Sequence, residues 1–493
     1  MSTFSQVISF LMQILPFMNI LFAALVIFSE RRNPVVTWAW LMVIFLVPYF
    51  GFIFYLLIGI EGRKYRTFAG KYRQNQEWLA QVRAKNLPGL AFMHSPCIDR
   101  HIASFKEKHI SDLLHLNHVS GGGYLTQNNH IDILTDGDTK FSHLIDDIKN
   151  AENFIHIQYY IFRNDNLGRE IVAALAEKAA QGVEVCLLLD GMGNFTTSKR
   201  IFKPLVAAGG QLGIFLPPHF FFRGNFQNHR KICVIDGKIG YIGGFNIGDE
   251  YLGKVPRFGP WRDLHIRIYG DAAKELGLHF IMDWNFISTK RPIEASEMYF
   301  PVIDERSIDQ DGCLVQIVSG GPDTKWPNIY NGLSKMISEA NRRIYIQTPY
   351  FAPDDNIFES LKIAALSGID VRIIIPANPD HPFVKWCSMS YLGELLKAGV
   401  KCYQYTEGFI HSKMMMIDDL VTSVGTTNMD IRSFKLNFEI NAFIYDHNMT
   451  DLFLEQFYRD QKDSTEITME AYQNRSWWQK IKEAFSRLLS PLL

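Results

Sequence analysis

Two apolar runs open the chain and resemble nothing that follows them. Val7 to Phe28 is about 22 residues without a charge, and Val35 to Ile60 is about 26 residues rich in Trp, Phe, Leu and Ile. At roughly 1.5 Å of rise per residue, either run is long enough to cross a bilayer core. Pro16 and Pro48 fall inside them, which membrane helices tolerate where neighbouring groups re-satisfy the freed carbonyl. The first run has no basic segment before it and no small-residue cleavage site, and a second follows at once, which argues against a cleaved signal peptide. The pattern therefore predicts a two-helix transmembrane hairpin over residues 1–62. Arg31 and Arg32 lie in its short connection, but a larger basic cluster follows it: Arg63, Lys64, Arg66, Lys71 and Arg73. That asymmetry predicts a multi-pass protein with its downstream body in the cytoplasm.

Residues 63–125 read as a polar, partly helical connector that ends in the loop signal Ser120-Gly121-Gly122-Gly123. Beyond it, short β-branched runs alternate with helical stretches, the pattern of an α/β architecture. The same plan occurs twice. Ile131 to Leu134 leads to Asp138-Thr139, a helical stretch and the strand Ile155 to Tyr160; Cys313 to Val318 leads to Asp323-Thr324, a helical stretch and the strand Ile344 to Gln347. Each copy continues with a helix, a glycine and an apolar strand, Gly182 to Leu189 and Gly368 to Ile375. Two α/β/α domains related by pseudo-twofold symmetry are predicted, over 126–305 and 306–472. A C-terminal amphipathic helix is predicted over 473–493, where Trp477, Trp478, Ile481, Phe485, Leu488 and Leu489 recur near helical spacing with Lys480, Lys482 and Arg487 among them. That pattern suits a helix lying on anionic lipid.

Composition adds little. With 50 Lys+Arg against 51 Asp+Glu there is no global basic footprint for nucleic acid. The six cysteines are scattered, without a CxxC pair or metal-ligand spacing. Cys186 and Cys233 lie in apolar strand-like runs and read as small buried hydrophobes, which fits a reducing compartment.

Each half holds one segment unlike its surroundings. His229-Arg230-Lys231 runs through four apolar residues to Asp236, and His411-Ser412-Lys413 runs through four to Asp418. Both fit H-x-K-x-x-x-x-D, and both keep register further on, with a glycine seven residues past the Asp (Gly243, Gly425) and an asparagine ten past it (Asn246, Asn428). On extended chain, residues two apart share a face, so each segment presents an imidazole beside an ammonium group. Asp236-Gly237 and Asp418-Asp419 are turn formers that would return the chain towards the same end. One such segment is ordinarily an exposed strand end; two, matched at five positions in a duplicated frame, point to a shared catalytic site.

These paired segments resemble the HKD motifs of the phospholipase D superfamily, whose two halves bring both motifs into one site. The resemblance to its bacterial cardiolipin synthases extends over the whole chain. It includes Arg31-Arg32 before the second apolar run, the stretch Gly425 to Ser433, and the ending Ser490-Pro491-Leu492-Leu493. It implies a catalytic set of His229, Lys231, Asp236, His411, Lys413 and Asp418, with His229 the nucleophile that forms a phosphohistidine and His411 the general acid. The two aspartates are expected to hold strands rather than do chemistry. Asn246, Asn428 and Thr426 are implied as substrate-binding donors, although Gly244 stands where a second hydroxyl would match Thr426. Glu439 and Asp263 are implied as the carboxylates that orient the imidazoles. The implied reaction joins two phosphatidylglycerol molecules and releases glycerol, with neither metal nor cofactor, on anionic lipid of the bacterial cell membrane. The implied partners include no nucleic acid, and self-association into a homo-oligomer is left open. An aromatic loop just before the first motif, Pro217 to Arg223, is a candidate bilayer contact. A membrane-tethered nucleic-acid phosphodiesterase and a non-catalytic scaffold are the rival readings. Balanced charge speaks against the first, and an intact set of six motif residues against the second.

Overall fold

The computed structural model describes residues 17–28, 34–47, 50–51, 55, 62–94, 108–217, 225–288, 291–303, 312–488 and 490. Of the predicted hairpin it includes helical residues 17–28 and the helix Pro34–Leu46. Ala23, Val26, Leu41, Ile44 and Tyr55 pack together there, and Trp40 meets Tyr55 edge-on at 5.5 Å. Among the described residues no helix is long and apolar enough to cross a membrane; the remainder of both predicted spans, and residues 218–223 of the aromatic loop, lie outside them.

The duplication is realised strand for strand. In the first half the order across the sheet is Trp261–Gly270, Ile239–Gly243, Ile232–Ile235, Phe154–Tyr159, Glu184–Asp190 and Gln211–Phe215, with Asn129–Asp136 paired antiparallel to Trp261–Gly270. In the second half it is Leu314–Gly320, Glu439–Tyr445, Val421–Gly425, Met414–Ile417, Arg343–Gln347, Asp370–Pro376 and Lys401–Tyr405. Each motif therefore runs into the first strand of a hairpin near the middle of its sheet. Asp236 (φ +52°) and Gly237 (φ +64°) turn the first hairpin, and Asp418 (φ +48°) begins the turn of the second. Left-handed backbone is tolerated better by Asp and Gly than by most residues, so the turn was readable from sequence.

Side-chain alternation explains how the halves join. Ile232 and Val234 face a core shared with Met414, Met416, Val424 and Ile440 of the other half; Cys233 and Ile235 face the helices of their own half. Met415 and Ile417 do the same in the second half. Both faces of these strands are apolar, as period-two geometry requires of a doubly covered sheet. The shared core extends to Phe68, Val82 and Leu90, so the segment after the apolar runs is built into the body. Its helix Gly62–Lys85 buries Lys71, whose ammonium lies 2.6 Å from Asp323 and 3.0 Å from Asp283.

The halves also exchange strands. Leu125–Thr126 pairs with Leu314–Gly320 of the second sheet, and Phe409–Ile410 pairs in parallel with Trp261–Arg262 of the first. A bridge between Asn228 and Phe438 is the symmetry mate of that second contact. The C-terminal helix forms at Trp477–Leu488 and packs on the helix Pro382–Lys397.

Candidate active site

The strand exchange sets the main chain at both motifs. His229 N donates to the carbonyl of Phe438 at 2.9 Å, and His411 N donates to the carbonyl of Arg262 at 2.7 Å. The residue after each of those carbonyls is an acid, Glu439 and Asp263, so its carboxylate reaches the imidazole it faces. His229 Nδ1 lies 3.0 Å from both carboxylate oxygens of Glu439, and His411 Nδ1 lies 2.7 Å from Asp263 Oδ2. Each histidine is thus oriented by the acid of the opposite half. With Nδ1–H given to a carboxylate, Nε2 keeps its lone pair, the tautomer that nucleophilic attack needs.

Both imidazoles line one cavity of about 690 Å³ between the halves, together with Tyr160, Trp261, Tyr350 and Arg432. Tyr160 stands edge-on to His229 at 4.9 Å between ring centres, and Trp261 lies 5.4 Å from His411. Burial, with Lys231 adding to it and Glu439 opposing it, holds the His229 imidazole down at about 4. Burial and the Lys413 ammonium lower His411 as well, against the pull of Asp263. Burial alone would raise both acids, but the facing imidazoles and the lysines outweigh it and leave Glu439 and Asp263 below the usual carboxylate range. Burial thus favours the neutral imidazoles, while the facing groups favour the ionised carboxylates.

The lysines sit behind the histidines. Lys231 Nζ donates to the His229 carbonyl at 2.7 Å and Lys413 Nζ to the His411 carbonyl at 2.6 Å. Lys413 Nζ also lies 2.9 and 3.1 Å from the two ring nitrogens of His411. Desolvation lowers both ammonium groups, Lys413 to about 8.

Other predicted site residues divide. Asn246 and Asn428 line the cavity. Asn246 is spanned by Ile161 N and the Tyr251 hydroxyl, at 3.1 and 3.0 Å, whereas Asn428 Oδ1 is buried without a hydrogen-bond partner among the described residues. Thr426 is not among the residues that line the cavity. Its hydroxyl is fully buried behind Glu439 and donates to Oε2 at 2.6 Å, so it positions the carboxylate. Asp236 and Asp418, expected to hold strands, also lie away from the cavity. Each lies at the far end of its motif strand, where Asp236 accepts from the main-chain N–H of Glu152, Asn153 and Phe154, and Asp418 from those of Asn341, Arg342 and Arg343. They tie the hairpin turns to the preceding loops.

Gly244, the apparent departure from the repeat, has a steric reason. A Cβ there would stand 1.9 Å from Asp263 Oδ1, so the shorter acid occupies the space that a hydroxyl residue would need. Two further positioning residues escaped the sequence reading. Trp261 and Asn437 each stand two residues before the acid of their half; the Trp261 indole N–H donates to Asp263 at 3.5 Å and the Asn437 amide to Glu439 at 3.2 Å. Their matched spacing was visible, but residue types so unlike gave no cue.

Known proteins are similar to this chain in sequence and in fold. A family model described as "Cardiolipin synthase, PLD-like domain" matches residues 144–255 and 333–461, and one for the phospholipase D-nuclease N-terminal region matches residues 17–59. The chain is 44% identical to a cardiolipin synthase of Listeria monocytogenes serotype 4a (strain HCC23), with 99% of each chain covered. It is 47% identical to a cardiolipin synthase of Staphylococcus aureus (strain Mu50), over 97% of this chain and 95% of that one. In fold it is similar to the crystal structure of phosphatidylserine synthase from Haemophilus influenzae Rd KW20, with a TM-score of 0.56 at 15% identity over 78% of this chain and all of that one. Two H-x-K segments meeting in one cavity of a duplicated α/β fold define an enzyme of the phospholipase D type. Identity over nearly the full length narrows this further: the chain belongs to the cardiolipin synthase family.

Proposed function

We propose that this enzyme moves a phosphatidyl group from one phosphatidylglycerol to a second, giving cardiolipin and glycerol. The observation that carries the reading is the pair of imidazoles in one cavity, each held by a carboxylate from the other half. His229 Nε2 attacks the phosphorus of the first lipid. The bond to the glycerol oxygen breaks, and His411 supplies the proton that the departing glycerol takes up. An anionic phosphodiester beside His411 favours its protonated form, so the substrate itself opposes the lowering that burial imposes on this acid. His411, now neutral, accepts the proton of a glycerol hydroxyl on the second lipid. That oxygen attacks the phosphohistidine, cardiolipin leaves and His229 is restored. Lys231 and Lys413 hold positive charge where the transition state is negative, and Asn428 offers its amide to the same oxygens. Transfer outruns hydrolysis only where the cavity admits the second headgroup and keeps water scarce.

Substrate and topology are part of the same proposal. The two charge-free runs anchor the enzyme as a hairpin in the bacterial cell membrane, and the basic residues that follow them keep the body on the cytoplasmic side, beside anionic headgroups. The test is the full-length enzyme in vesicles of labelled phosphatidylglycerol, with products separated by thin-layer chromatography. Cardiolipin and free glycerol in equal amounts are expected. Phosphatidic acid as the main product would make it a hydrolase instead, and cleavage of single-stranded DNA in place of lipid would make it a tethered nuclease.

A further inference from the structure

The helix Trp477–Leu488 is turned the opposite way from an ordinary surface helix. Glu483 and Ser486 face the body and are buried, whereas Trp477, Trp478, Ile481, Phe485 and Leu488 are exposed, Leu488 at 78%. Polar contacts hold the inward side: Arg475 pairs with Glu483 at 3.0 Å, and the Arg487 guanidinium lies over the Tyr391 ring at 5.0 Å. A stripe of two tryptophans and three other large apolar residues is thus left facing outward, where water alone would drive it inward.

Its position is as telling as its direction. Lys482 lies over the ring of Trp386 at 5.0 Å and Arg487 over Tyr391, the same five-residue step on both helices, so the two run in the same sense. Extended by the same step, that register directs the Trp477 end of the helix towards the start of Pro382–Lys397. His381, Val384 and Cys387 line the catalytic cavity, and Phe383 between them is half exposed and meets Trp386 edge-on at 5.6 Å. The helix that carries the outward stripe therefore packs on one whose first turns line the cavity.

We infer that this helix is a docking ridge that seats the cavity rim on an anionic lipid surface, separately from the N-terminal apolar runs. Charge selects the occupant. Lys480, Lys482 and Arg487 are exposed along the helix, and its one acid, Glu483, is buried against Arg475. Cations beside an apolar stripe with tryptophan at one end match the headgroup–acyl boundary of an anionic bilayer. A second copy meeting this face about a twofold axis would bring the same cations together and be repelled. The inference deepens the reading of the substrate as a membrane lipid: it assigns the surface through which that lipid reaches the cavity.

The test uses the full chain. Phe485→Cys in a Cys97→Ser background is labelled with an environment-sensitive fluorophore and reconstituted into phosphatidylglycerol vesicles. Quenching by nitroxide-bearing lipid and protection from aqueous iodide are expected. A label that iodide reaches and lipid nitroxide does not would overturn the inference, as would shielding that appears in detergent only at high protein concentration, the mark of a second copy. In parallel, a Trp477→Ser/Trp478→Ser/Phe485→Ser variant is expected to lose at least about tenfold in kcat/KM on vesicles, the equivalent of losing burial of one large apolar side chain. Its turnover of monomeric short-chain phosphatidylglycerol should stay unchanged, and Trp326→Ala, an exposed tryptophan elsewhere, should change neither. Equal loss on both substrates would make the helix merely structural and sink the proposal. Should the wild type make no cardiolipin at all, the substrate reading fails, while the label still answers the question of docking.

Discussion

At the scale of single residues, the cavity is a set of paired groups whose protonation is fixed by burial and by facing charge. Substituting either histidine by alanine should abolish cardiolipin formation. Glu439→Gln keeps the shape and loses the charge that fixes the His229 tautomer, so a loss of about 10²–10⁴-fold in kcat is expected by analogy with other carboxylate–imidazole pairs. Substituting Thr426 by Ala removes only one donor to that carboxylate and should cost far less. Gly244→Ala, in contrast, drives a Cβ into Asp263 and should reduce turnover more than Thr426→Ala does. The pH dependence follows from the directions of the shifts. The His229 imidazole, held at about 4, stays neutral well below the ordinary imidazole value, so phosphohistidine formation should persist at pH 5–6. The Lys413 ammonium, held at about 8, loses its charge sooner than a free lysine, so activity should decline as pH rises through that value. Glycerol release from phosphatidylglycerol vesicles across this range is the check; a rise in rate only near pH 6.5 would show that His229 is not desolvated.

At the scale of elements, the motif strands are held from behind as firmly as they are aimed in front. Arg230, between His229 and Lys231, points away from the cavity and donates to Asp283 at 2.7 Å and to Ser319 at 2.6 Å. Asp283 also takes Gln158, Asn228 and Lys71, so the helix that follows the apolar runs, the helix Asp271–Ile287 and the first motif meet on one carboxylate. Its charge, set against two cations, keeps it ionised despite complete burial. Asp283→Asn leaves those cations short of a counterion, and a loss of about 3–5 kcal/mol is expected, read as a lower midpoint of thermal unfolding. Lys71→Met should act in the same direction through Asp323. Arg262→Ala is the matching test in the second frame, since it strands Asp460, which takes both Nε and Nη2 at 2.8 Å. None of these pairings could be read from the chain. The strands themselves could, because period-two apolar runs, a following turn and the repeat of the whole order mark them, whereas an ion pair between residues 212 positions apart leaves no local trace.

At the scale of the whole molecule, duplication with exchange makes one site from two halves. Each half supplies the acid for the other's histidine, and each adds a strand to the other's sheet. Neither half alone holds an oriented imidazole, so residues 1–303 and 304–493 produced separately should be inactive. Producing them together should restore activity to the extent that they associate, measured as cardiolipin formed in membranes. Activity in one isolated half would contradict the shared site.

Alternation, turn residues and matched spacing are local properties of the chain, so the class of fold, the repeat and the two H-x-K segments could be read without coordinates, whereas Glu439 and Asp263 came only from the resemblance to the phospholipase D superfamily. Tertiary structure decided the rest. It crossed the acids to the opposite histidines, set Thr426 behind Glu439 rather than in the cavity, and placed Trp261 and Asn437 beside the carboxylates. It also set the polar side of the C-terminal helix inward. Each of these depends on which distant backbone passes alongside, and a hydrogen bond across an exchanged strand is fixed by the packing of two halves rather than by either segment alone.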